Sequence, residues 1–210
     1  MQKKAFFDCP SCGSRCEYTI WESINASDDP EAKEALIAGK LFVHECPNCG
    51  NRINIVYSVL YQDNNHNAMI NLVSDCSDVN AETEKFKSIR KYVVPSDTYQ
   101  VRFVTTPNDL REKATIFDAG LDDRIIELMK QKHLQQENPS ANAKPIKTYF
   151  VRDDSGRYRF EFVYVQGNVY IDFNKSEYDR VHDELMKKNP RALNEEAYTI
   201  DSNWADTQYC

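Results

Sequence analysis

The chain has 210 residues, enough for one medium domain or two small ones, and 41% are hydrophobic, including 10 Phe and 12 Tyr that can fill a core. Its 33 Asp and Glu exceed its 26 Lys and Arg, and the net charge of −7 repels phosphate backbones and disfavours broad nucleic-acid binding. No apolar run approaches the roughly 20 residues of a membrane span, and the opening lacks the long apolar region of a signal peptide.

The expectation is therefore a cytoplasmic protein with no membrane partner. In a reducing compartment its 7 cysteines are thiols or metal ligands rather than disulfides, and an odd number fits poorly with complete internal pairing.

Residues 7–13, Phe-Asp-Cys-Pro-Ser-Cys-Gly, and residues 44–50, His-Glu-Cys-Pro-Asn-Cys-Gly, share one grammar. Each motif joins two predicted strands: residues 5–8 lead into the first and 16–23 lead out, while 41–45 lead into the second and 52–57 lead out. Between them, residues 27–39 predict a helix, with Ser27 or Asp28 as cap and Pro30 in the first turn. Ala32, Ala35, Leu36 and Gly39 form one face, and Gly39 ends the helix. A hairpin over 56–73 turns at 62–67, a short helix covers 82–90, and 99–105 alternate as a strand with Tyr99, Val101 and Phe103 on one face.

Two helices follow at 107–117 and 121–134, punctuated by Gly120, the first capped by Thr106 or Asn108. Residues 135–145 read as a polar linker. A β-meander comes next, with strands at 147–152, 157–165 and 169–173, and then a helix at 175–187 carrying Tyr178, Val181 and Leu185 on one stripe. The tail 189–210 holds Tyr198, Ile200 and Trp204, which predict docking. The fold class is α+β: a zinc-ribbon-like domain with an inserted helix and a helical pair (1–134), the linker, a small meander-plus-helix domain (146–188) and the tail.

The doubled motif carries the chemistry. Zinc takes four tetrahedral ligands and binds thiolate strongly. Two residues between cysteines let both sulfurs converge on one ion, and Gly13 and Gly50 stand where a positive φ is cheap only for glycine. Cys9, Cys12, Cys46 and Cys49 are the metal ligands, and one structural Zn2+ is the cofactor. A redox dithiol would need a helix behind the motif to lower the first thiol's pKa, whereas Cys16 to Trp21 reads as strand. Iron is possible on ligands alone. Cys16 is a fifth thiol: a substitute ligand, an oxidation sensor or an ordinary strand residue. Cys76 and Cys210 have no partner at ligand spacing. His44, two residues before Cys46, can support the site or simply fill a strand.

These motifs, with residues 21–25 (Trp-Glu-Ser-Ile-Asn) and 116–128 (Ile-Phe-Asp-Ala-Gly-Leu-Asp-Asp-Arg-Ile-Ile-Glu-Leu), resemble the CpXC family over roughly residues 1–134. The resemblance implies a prokaryotic protein with a metal-binding domain, and it implies no activity.

Elsewhere the acidic trio Asp118, Asp122 and Asp123 could hold a hard cation, but two of them begin a helix, where the dipole favours negative charge. Tyr158, Phe160, Phe162 and Tyr164 alternate along one strand, with Arg157 and Arg159 on the other face. Exposed, such rings stack bases; buried under the following helix, they form a core, which is the expectation. His44, His66, His133 and His182 show no ligand or base–nucleophile spacing, and no glycine-rich phosphate loop occurs among 6 Gly. The leading function is a binding or adaptor module with a protein or small-molecule partner. The alternatives are an enzyme whose site lies between the domains and a nucleic-acid-binding ribbon.

Overall fold

The computed structural model describes residues 1–74, 79–94, 96, 98–136, 144–193 and 196–209, with only the backbone at Val79, Gln136 and Tyr209. Cys76, Cys210 and most of the expected linker (137–143) lie outside the described residues. Strands and helices both recur along the chain, and the fold is α+β. It forms two compact units, Met1–Ala114 and Thr115–Cys210.

In the first unit, β1 (Gln2–Asp8) pairs antiparallel with β2 (Arg15–Trp21), Phe7 facing Cys16. A second ribbon pairs β4 (Val43–Glu45) with β5 (Arg52–Asn54). A four-stranded sheet has the order β3-β6-β7-β8, formed by β3 (Ser23–Asn25), β6 (Val59–Asp63), β7 (Ala68–Leu72) and β8 (Gln100–Val104). Only β6 and β7 form a hairpin; β3 pairs parallel to β6 and β8 parallel to β7. Ile24, Tyr61, Ile70 and Phe103 are buried.

The inserted helix α1 (Pro30–Ile37) is shorter than expected and starts after Asp29, not Ser27 or Asp28. The Asp29 carboxylate is already engaged, accepting from the Asn25 N–H at 3.0 Å. Ala32, Leu36 and Ile37 form its buried face, while Gly39 is exposed. Gly39 takes φ +72°, and a Cβ there would stand 3.1 Å from the Arg111 guanidinium. The left-handed turn favours glycine, and a side chain there would also press on Arg111.

Helix α2 (Val79–Val93) is longer than the expected 82–90, and its Phe86 ring meets Phe103 of β8 edge-on at 5.6 Å. Helix α3 (Pro107–Asp118) starts where Thr106 Oγ accepts from the Asp109 N–H at 3.2 Å. It closes on Gly120, whose N–H donates to Phe117 O while Leu121 N–H reaches back to Ile116 O, the paired bonds of a Schellman ending.

The division at Ala114/Thr115 falls within α3, not at residues 135–145. Helix α4 (Asp123–Gln136) absorbs Gln135 and Gln136 from the expected linker. Its Ile125, Ile126, Leu128 and Met129 share one core with Phe150, Phe160, Phe162, Tyr178 and Leu185. The apolar stripe thus faces the meander, and burial places the helix in the second unit.

The meander comprises β9 (Lys147–Arg152), β10 (Tyr158–Tyr164) and β11 (Gly167–Asp172), in the order β11-β10-β9. Its second turn is tighter than expected, because Tyr164 pairs directly with Gly167. Helix α5 (Lys175–Lys188) starts at Asn174, whose side chain accepts from the Glu177 N–H, and buries Tyr178, Val181 and Leu185 as its spacing predicts. The described tail residues join this unit. Tyr198 and Ile200 are buried, and α6 (Ser202–Tyr209) places Ala205 in the core with Trp204 against it. Arg124 Nη1 donates to Leu193 O at 2.7 Å, tying the tail to α4.

The β9–β10 turn is organised by one carboxylate. Asp153 Oδ1 accepts from Ser155 Oγ at 2.6 Å and from the N–H groups of Ser155 and Arg157 at 2.9 Å each. The Ser155 hydroxyl, followed by the Arg157 N–H, pulls its pKa down to about 2. A depressed carboxylate stabilises the fold above its unfolded pKa, and that contribution disappears as pH falls through the folded one. Asp153→Asn should therefore melt earlier than the parent above about pH 4, and the gap should close towards about pH 2 in a series of thermal melts.

Candidate metal centre

Two knuckles with matched geometry build the centre. In the first, Gly13 N–H donates to Cys9 O at 2.8 Å and Cys9 N–H to Ser14 O at 2.9 Å; in the second, Gly50 N–H donates to Cys46 O at 2.8 Å and Cys46 N–H to Asn51 O at 2.9 Å. Gly13 and Gly50 take φ +70° and +71°. The sequence repeat is thus a repeat of one backbone turn, with glycine at the left-handed position of each.

The turns bring Cys9, Cys12, Cys46 and Cys49 together, with all four sulfurs within 4.8 Å of one another. Cys9 Sγ lies 3.7 Å from Cys49 Sγ, and Cys12 Sγ lies 3.7 Å from Cys46 Sγ. A tetrahedron with metal–sulfur bonds of about 2.3 Å has edges of about 3.8 Å. The shortest contacts therefore match the donor set, and both cross between the two knuckles. Each knuckle supplies one buried sulfur, Cys9 or Cys46, and one exposed sulfur, Cys12 or Cys49.

The electrostatics favour a cation. The Ser14 side chain and backbone N–H hold the Cys12 thiol down at about 5, and the backbone N–H groups of Asn48 and Cys49 lower Cys46. Cys49 gains from the Asn51 N–H, but sharing a proton with Cys12, loss of solvent and the nearby Cys46 and Cys9 sulfurs push it up to about 12. Thiolates 3.7 Å apart repel, and a dication among them removes that conflict.

Cys16, on β2, is buried in one apolar cluster with Cys9 and Cys46, against Phe7 and Ile53. Its Sγ lies 3.8 Å from Cys46 Sγ and 3.6 Å from Ser14 O, and burial pushes its thiol up to about 11. The His44 ring packs edge-on against Phe7 at 5.2 Å and Tyr18 at 5.8 Å. Its Nε2 is buried without a hydrogen-bond partner among the described residues, so it stands in an aromatic ledge beside the knuckles. The Tyr18 hydroxyl donates to Leu41 O, linking β2 to the second ribbon.

The remaining sites resolve into structure. Asp122 caps α4: its Oδ1 accepts from the Arg124 N–H at 2.9 Å, and its Oδ2 lies 2.6 Å from Arg124 Nη2. Asp118 faces Arg152 at 3.8 Å. Asp122→Ala should cost about 0.5–2 kcal/mol in denaturant titrations, the range for losing a cap. Phe160 and Phe162 are fully buried and Tyr158 and Tyr164 pack on the same core, so this face is interior rather than a base-stacking platform.

The histidines are dispersed. His66 Nδ1 meets Asp63 at 2.9 Å, His133 lies against Phe160, and His182 pairs with its neighbour Asp183. No described helix is long and apolar enough to cross a membrane.

A family model described as CpXC protein matches residues 7–130, more than half of the chain. The matched span contains all four clustered cysteines. No curated protein and no solved structure matches the chain.

Proposed function

We infer that this chain, which belongs to the CpXC family, is a binding or adaptor module whose ribbon pair is held together by one structural zinc ion. Cys9, Cys12, Cys46 and Cys49 hold the ion. The carrying observation is the cross-knuckle sulfur spacing of 3.7 Å, the edge of a closed four-thiolate shell. Zinc is favoured over iron as the commoner occupant of such sites.

A closed shell leaves no coordination position for a substrate, so the metal acts as scaffold. What it holds in place is surface. On the outer face of β1 and β2, Phe6 is 55% exposed, and the Arg15 guanidinium stacks on its ring at 5.1 Å. An exposed ring beside a cation is the material of a partner contact. The partner is a protein or small ligand, and the net charge of −7 weighs against nucleic acid. A free thiol beside the site, Cys16, suits a reducing, cytoplasmic setting.

Native mass spectrometry of protein purified from its own host tests the reading directly. The expected spectrum shows one zinc per chain and a retained partner or ligand. A metal-free chain with reduced cysteines would overturn the scaffold, and a fully loaded chain without a companion would overturn the adaptor role.

A further inference from the structure

We propose that Cys16 is a resolving thiol that takes over the disulfide formed when hydroperoxides oxidise the metal centre. This rests on the four-sulfur reading above, and it concerns the one clustered thiol that reading leaves uncommitted.

Among the five described cysteines, four converge as ligands and Cys16 does not join their set. Cys16 is nevertheless only 1% exposed and reaches Cys46 Sγ at 3.8 Å, as near as the ligands are to one another. In the loaded, reduced state the ion holds the ligand sulfurs at tetrahedral spacing, well beyond the roughly 2.05 Å of a disulfide, until oxidation of one of them loosens that hold. Cys16 is under no such restraint.

The exposures set the order of events. Cys12 and Cys49 are the exposed ligands open to hydrogen peroxide, and the proposed route starts at Cys12, whose sulfur lies 3.7 Å from Cys46. The Cys12 thiolate takes one peroxide oxygen; the O–O bond breaks, the sulfur is oxidised to sulfenic acid, and hydroxide leaves. The Cys46 thiolate, 3.7 Å away, attacks the Cys12 sulfur and expels a second hydroxide. Cys16 then attacks the Cys46 sulfur from 3.8 Å. The Cys46–Cys12 bond breaks, and Cys12 leaves as thiolate and takes the proton that Cys16 gives up. In sum, two thiolates, one thiol and one hydrogen peroxide give one disulfide, one thiol and two hydroxides.

Two consequences follow from where the bond lands. Cys46 is withdrawn from the shell, leaving at most three sulfurs on the ion. The new bond joins β2 to the end of β4, so it replaces the ion as the link between the two ribbons. The protein gives up its metal without losing the connection that the metal provided.

The test compares the zinc-loaded wild type with Cys16→Ala. Metal content measured before oxidation reports the four-sulfur reading; disulfide connectivity afterwards reports this one. Hydrogen peroxide at equimolar dose should release zinc from the wild type, lower its mass by about 2 Da, and yield a Cys16–Cys46 linked peptide. Reductant plus zinc should restore the original. Loaded Cys16→Ala should yield no such peptide and should stop at the Cys12–Cys46 disulfide through which the wild type only passes. If that variant loads no metal, Cys16→Ser serves in its place. Wild-type disulfides confined to the four ligands, with no Cys16–Cys46 peptide, would overturn the proposal.

Discussion

Removing the metal from the reduced protein is expected to unfold the ribbon pair, losing the β1–β2 and β4–β5 pairings together. Each ribbon has only two strands, and an isolated two-stranded hairpin is marginal at best in water. The apolar cluster at the knuckles contains three cysteines, with Phe7 and Ile53 against it, far too little to offset the chain entropy of ordering both ribbons. In small zinc-finger peptides, metal binding supplies about 10–16 kcal/mol of folding free energy.

The four-stranded sheet has its own core at Ile24, Tyr61, Ile70 and Phe103, so its amide protection should persist. The two tryptophans allow the effects to be separated. Trp21 ends β2 and Trp204 lies on α6 in the second unit. Chelation should change the Trp21 emission and leave Trp204 native, read in single-tryptophan variants. Cys46→Ala should reproduce the result without a chelator, since it removes a buried sulfur of the four-cysteine cluster. Unchanged ribbon protection in the metal-free, reduced protein would mean that sulfur–metal bonds do not hold this fold.

The knuckles were the most legible part of the sequence because their determinants are local. A cysteine pair, a proline and a glycine at φ +70° fix a turn within seven residues, and repeating them fixes the second. The helical stripe Tyr178, Val181 and Leu185 and the alternation along β10 were legible for the same reason, since periodicity is written residue by residue.

What the sequence concealed was placement. The stripe Leu121, Ile125, Leu128 and Met129 states that α4 buries one face, and not against what. Tertiary packing assigns it to Phe150, Phe160 and Phe162 and so moves the boundary into α3. The parallel pairings β3–β6 and β7–β8 were equally hidden, because each joins strands separated by long intervening segments and leaves no local turn signal. Cys16 was visible as a fifth thiol, but only the pairing of β2 with β1 and the convergence of the knuckles bring its sulfur beside Cys46.

Phe160→Ala should be the most damaging single substitution in the second unit, costing about 3–5 kcal/mol. Phe160 is fully buried at the centre of the meander, facing Phe150 on β9 and Ile171 on β11. Its ring meets Phe150 edge-on at 5.5 Å and lies 5.0 Å from the His133 ring of α4. Truncation therefore opens a cavity where sheet and helix meet, and several rigid aromatic neighbours limit collapse into it. Against a typical domain stability of about 5–15 kcal/mol, that loss leaves the unit near its threshold. Phe160→Leu keeps most of the volume and should cost clearly less. Urea titration followed through Trp204, with Trp21 replaced by Phe, measures both. A midpoint for Phe160→Ala no lower than that for Phe160→Leu would show that the ring is not the keystone of this core, and α4 would then have to be held in the unit by polar contacts such as Lys132 to Glu184 of α5 at 3.1 Å.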